Sequence, residues 1–163
     1  MIETARSTLP DGMRPELAAY VAALERRFGA DLVSVVAFGS RVRGDAKPES
    51  DLDVLIVVRG LPRRRWDRYE GLRNVAREVS EEFADMVMPI LLTPEEASQV
   101  KPYYLGMLSG HAIVRDEDGF FAGVLDRLRR RLAELGSRRY VDDRGYEYWD
   151  LKPDWKPGDI VTL

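Results

Sequence analysis

Two apolar runs, Leu32-Val33-Ser34-Val35-Val36-Ala37-Phe38 and Val54-Leu55-Ile56-Val57-Val58, read as buried strands, and the segment between them limits what this 163-residue chain can become. The first run leads into Gly39-Ser40-Arg41-Val42-Arg43-Gly44, and the second is entered through Ser50-Asp51-Leu52-Asp53. Gly39-Ser40 therefore falls where a strand gives way to a short helical turn. Backbone N–H groups without carbonyl partners gather at such a place and attract anionic oxygens. Asp51 and Asp53 stand two residues apart at a strand start, and the period of two directs both carboxylates to one face. Two like charges at the mouth of an apolar strand are unfavourable, and a shared cation relieves them. Carboxylate oxygens suit hard Mg2+, so an acid pair beside a phosphate cradle points to metal-assisted phosphoryl or nucleotidyl transfer.

Gly39-Ser40, ten intervening residues and then Asp51-Leu52-Asp53 running into an apolar strand resemble the signature of the DNA polymerase β-type nucleotidyltransferase superfamily, above all its minimal nucleotidyltransferase (MNT) branch. The resemblance is strong over residues 32–58 and extends to about residue 115. It implies an α/β (α+β-like) fold: a small mixed, twisted sheet with helices mainly on one face, plus a C-terminal helix and an aromatic arm. It implies a nucleotide site in which Gly39 and Ser40 hold the triphosphate and Asp51 and Asp53 coordinate Mg2+. Arg41 and Arg43 follow the cradle, where a guanidinium could reach a β- or γ-phosphate; exposure, or pairing with Asp45 or Glu49, is the alternative. Superfamily members that catalyse transfer usually add a third carboxylate on a neighbouring strand. Here an uncharged residue, around Ile90, takes that place, and Asp85 is the nearest acid, a candidate catalytic base or ligand that could instead face water.

The implied activity is Mg2+-dependent transfer of a nucleoside monophosphate from a nucleoside triphosphate, ATP in particular, to an acceptor hydroxyl. In the MNT branch that hydroxyl can belong to a HEPN-type partner protein, with the transferase acting as antitoxin. The competing reading is a catalytically weak or inactive nucleotide-binding module that works by docking a partner protein. A homo-oligomer stays open.

Composition narrows the classes further. No apolar run reaches the roughly 18 residues of a membrane span, and residues 1–7 lack a secretory pattern, so a cytoplasmic protein is expected. The absence of cysteine excludes thiolate zinc sites, and the single His111 excludes a multi-histidine metal site; His111 itself reads as a turn or surface residue. A net charge of −3 argues against a nucleic-acid partner, and the arginine clusters at 63–65 and 129–131 read as solvated helix faces.

Along the chain, helical spacing predicts a helix over about 15–28 and a long amphipathic helix over 64–83 with Trp66, Tyr69, Leu72, Val75 and Phe83 on its packed face. A strand over 86–92 contains Pro89, which fits an edge or a bulge. Thr93-Pro94-Glu95-Glu96 reads as a capping box; a helix break near Pro102, a short strand at 112–114 and a last helix over 120–135 follow. Residues 1–136 form the expected nucleotidyltransferase domain. Residues 137–163 form an aromatic-rich arm that packs on that domain, docks a partner or walls the nucleotide base.

Overall fold

Four strands carry the architecture: β1 (Leu32–Phe38), β2 (Leu52–Val58), β3 (Val87–Leu92) and β4 (His111–Asp116), hydrogen-bonded in the order β3-β2-β1-β4. The structure is a computed structural model that describes residue 9 and residues 11–163, so residues 1–7, read above for a targeting signal, lie outside the described residues. β1 runs antiparallel to β2 and β4, while β2 runs parallel to β3, which makes the sheet mixed as expected. A parallel pair needs a crossover. Here α3 (Arg65–Arg68), α4 (Leu72–Arg77) and α5 (Glu81–Met86) supply it. Pro89 lies on β3, an edge strand, where its missing N–H leaves the outer side of the ladder without loss.

Helices cover both faces of the sheet, which corrects the expectation of cover mainly on one side. On one face Val54, Ile56 and Val58 pack against α1 (Met13–Phe28), α4 and α5, where Tyr20 meets Phe83 at 5.1 Å. On the other, Leu55 and Val57 pack against α6 (Pro94–Ala97), α7 (Pro102–Met107) and α8 (Phe120–Glu134). The physical reason is in β2, whose five consecutive apolar residues present apolar surface on both sides and so require a layer on each.

The expected helix over 64–83 is also corrected: three short pieces replace it. Gly71 adopts φ +72°, a left-handed conformation at the N-cap of the second piece, and Ser80 starts the third by accepting the Phe83 N–H at 3.0 Å. With the helix broken, Trp66 is 90% exposed instead of anchoring a packed face. The buried residue of α3 is Arg68, 7% exposed. Its guanidinium donates to the Pro62 carbonyl at 2.6 Å and to both Glu96 oxygens at 2.7 and 3.0 Å. Glu96 also completes the Thr93 capping box, so one carboxylate starts α6 and neutralises a buried cation.

Beyond α8 the chain forms a separate hairpin of β5 (Arg138–Val141) and β6 (Glu147–Asp150). Trp149 and Leu151 pack on the α8 side of the core, and the Ser109 hydroxyl donates to Glu147 at 2.7 Å. No helix among the described residues is long and apolar enough to cross a membrane.

Hydrogen bonding to Arg68 depresses the Glu96 carboxyl to about 2, from a usual value of 4.5. A depressed native carboxyl contributes stability that is complete above its unfolded value and disappears as pH falls from about 4.5 toward 2. Glu96→Gln is expected to destabilise the fold by about 2 kcal/mol at pH 7, measured by urea unfolding, with the difference shrinking across that acid window.

Candidate active site

Gly39 is the tightest point of the chain. It closes β1 with φ +85°, a conformation other residues rarely adopt, and a Cβ built on it would lie 2.3 Å from Asp53 Oδ2. Conformation and crowding thus both require glycine, and the second shows that the Asp53 carboxylate leans directly on the bend. β pairing produces this contact, because Phe38 is the register partner of Asp53. The bend continues into α2 (Ser40–Arg43), whose end is fixed by Gly44 at φ +87° donating its N–H to the Ser40 carbonyl at 2.9 Å. Ser40 and Arg41 open this turn, and their N–H groups precede the first carbonyls that a helix supplies.

Arg41 and Arg43 turn out to do different things. Arg41 donates through Nε to the Ser50 carbonyl at 2.6 Å and through its guanidinium to the Pro48 carbonyl at 3.0 Å. It thereby ties down the loop that delivers Asp51, with Ser50 Oγ accepting the Lys47 N–H at 2.9 Å inside the same loop. Arg43 reaches Asp45 at 3.5 Å and its charge acts on Asp53. Its stem passes so close to Gly110 that a Cβ there would lie 2.6 Å from Arg43 Cγ. Gly110 was invisible as a site-shaping residue in the sequence, since its only signal is a glycine beside His111.

Asp51 is exposed and Asp53 is half-buried. Burial first, and then the neighbouring Asp51 charge, raise the Asp53 carboxyl above its ordinary value, while Arg43 pulls it the other way.

The structure does not bring Asp85 to this pair. Asp85 belongs to α5, on the α1 face of the sheet, and forms an ion pair with Arg73. Register places Met88 beside Asp53 on β3 and puts Ile90 beside Leu55. Among the described residues no group of three or more His, Cys, Asp or Glu side chains could hold a metal. His111 opens β4 beside Phe38, half-buried, with Nδ1 2.7 Å from the Met107 carbonyl. Burial and the Arg129 charge hold its pKa below the ordinary value.

A strand-end bend with free backbone donors, the Asp53 carboxylate against it and Asp51 two residues earlier on the chain make up the candidate site. The nucleotidyltransferase domain family matches residues 17–104. A Methanocaldococcus jannaschii protein, named as a candidate protein adenylyltransferase, is 31% identical over 139 residues, covering 84% of this chain and 88% of that protein. The chain belongs to the nucleotidyltransferase family and is an enzyme of that class. Among solved structures, it is similar to one described as a toxin-antitoxin with AMP-PNP (TM-score 0.46, 16% identity, covering 72% of this chain and 90% of that one). Another is a Shewanella oneidensis tri-AMPylated HEPN toxin in complex with its MNT antitoxin (TM-score 0.39, 13% identity, covering 74% and 92%).

The donor set fits a small hard cation. Mg2+ is commonly held by one or two carboxylates together with substrate phosphates and water, so two acids beside a phosphate cradle meet its needs without an all-protein cage.

Two outcomes follow. A methyl at position 39 must displace Asp53, so Gly39→Ala is expected to lower transfer activity by about 100-fold while the protein stays folded by circular dichroism. For Asp53 the native carboxyl is raised, so the metal-free fold loses stability as pH climbs from the unfolded value through the raised one. Asp53→Asn is accordingly expected to melt at a higher temperature than the parent at pH 7 in EDTA, with the advantage vanishing below that window.

Proposed function

We propose that this protein is a Mg2+-dependent adenylyltransferase that moves AMP from ATP to a hydroxyl on a partner protein. The contact between Asp53 and Gly39 carries the reading, because it presses a cation-seeking carboxylate against a bend suited to phosphate. The relative named for protein adenylylation supports a protein acceptor. The likeness to the MNT branch in residues 32–58 supports a HEPN-type partner and an antitoxin role.

In the reaction the acceptor hydroxyl releases its proton to solvent as its oxygen bonds to the α-phosphorus, the bond from that phosphorus to the α–β bridging oxygen breaks, and pyrophosphate leaves. Asp51 and Asp53 would hold the cation, which when bound neutralises charge developing on the phosphates. The bend at Gly39-Ser40 binds the phosphate tail through backbone N–H groups and the Ser40 hydroxyl. Arg43, close enough to act on Asp53, stands ready to balance phosphate charge, while Arg41 keeps the Asp51 loop in place. Asp85, paired with Arg73, is left without a part in this scheme.

One observation favours a slower or non-catalytic variant of the same site: Met88, not an acid, stands beside Asp53. Incubation with labelled ATP, Mg2+ and a HEPN-type partner separates the readings. Label should pass to the partner and fall at least about 100-fold in both Asp51→Asn and Asp53→Asn. Retained label transfer in both variants contradicts the site, and nucleotide binding without any transfer leaves the binding-module reading in its place.

A further inference from the structure

The β5–β6 hairpin lies outside residues 17–104, the stretch that defines the family, so family membership gives it no task. It forms one wall of a cleft of about 1210 Å3, with α7 and the loop after α2 opposite. Two of its lining residues lead toward the acid pair. Arg43 lines it and belongs to α2, the single turn that begins at the Gly39-Ser40 bend. Tyr103 also lines it and stacks at 5.8 Å on Phe38, the register partner of Asp53. Small-molecule sites usually measure roughly 300–1,000 Å3, so this cleft can hold a nucleotide and still admit an acceptor group.

The walls combine rings with unpaired cations. Tyr146 and Tyr148 are 69% and 54% exposed on the hairpin. The turn that carries Tyr146 is firmly built: one Asp142 carboxylate oxygen accepts the Arg144 and Tyr146 N–H groups at 2.9 and 2.8 Å, and Gly145 adopts φ +82°. Glu147, held by the Ser109 hydroxyl, accepts the Trp149 indole N–H at 3.1 Å, which seats the hairpin on the end of α7. Lys47 and Arg144 line the cleft, and among the described residues neither forms an ion pair. Exposed ring faces next to free cations match a planar base joined to a phosphate chain. A peptide without acidic side chains would use the rings and leave the cations without counter-charge.

We propose that the β5–β6 hairpin is the nucleobase-binding element of this site, with Tyr146 offering its ring to the base while the phosphate chain runs past Lys47 and Arg43 to the Gly39 bend. The proposal rests on the nucleotidyl-transfer reading and adds to it the element that recognises the base. Calorimetry in Mg2+ with two ligands tests it: ATP, and inorganic tripolyphosphate, which carries the charged tail without a base. Tyr146→Ala is expected to weaken ATP binding about tenfold, to leave tripolyphosphate binding unchanged, and to be rescued by Tyr146→Phe. Unchanged ATP affinity in Tyr146→Ala, or an equal loss for both ligands, overturns the proposal. Asp53→Asn in the same series tells the two readings apart. If it weakens both ligands while Tyr146→Ala is silent, only the hairpin assignment falls; if it binds both like the parent, the phosphate site falls and the hairpin proposal with it.

Discussion

The contact of Asp53 with the Gly39 bend is the constraint on which the site depends. It exists because β1 and β2 pair with Phe38 opposite Asp53, and it persists because residue 39 has no side chain. Neither strand alone produces it. The pairing brings the end of one strand to the start of the other, and the glycine lets the carboxylate lean where any larger residue would collide. Burial and the Asp51 charge disfavour the charged form of Asp53, a condition that a cation would relieve.

Everything around this contact serves to fix it. Layers on both faces of β2 hold the strand that bears the acids, and Arg41 binds the two carbonyls of the loop that precedes them. The Arg68–Glu96 pair anchors α3 to α6 beside β3, the strand next to β2. Only the Arg68 side of this pair is fully buried, and desolvation of its guanidinium offsets part of the attraction.

Much of this was legible in the sequence, and the reasons are specific. The strands at residues 32–38 and 52–58 declare themselves through β-branched runs, the capping box at Thr93 through its residue types, and the acid pair through its spacing of two. Periodicity misled at residues 64–83, where apolar positions fit one helix face but Gly71 and Ser80 break the backbone. It was silent on the hairpin, whose strands, Arg138-Arg139-Tyr140-Val141 and Glu147-Tyr148-Trp149-Asp150, mix charged and apolar residues on each face. Asp85 drew attention through proximity in sequence to β3, yet the helix that carries it lies on the far side of the sheet, where Arg73 takes it up. What the residue next to Asp53 would be depended on strand register, which pairs it with Met88 and which no single-strand pattern specifies.

The most direct measurement is the crystal structure of the protein with Mg2+ and a non-hydrolysable ATP analogue. A cation is expected about 2.0–2.1 Å from oxygens of both Asp51 and Asp53 and of the phosphate chain, with that chain seated on the Gly39-Ser40 bend. A cation bound by Asp85, or a triphosphate lodged away from the bend, would contradict that expectation.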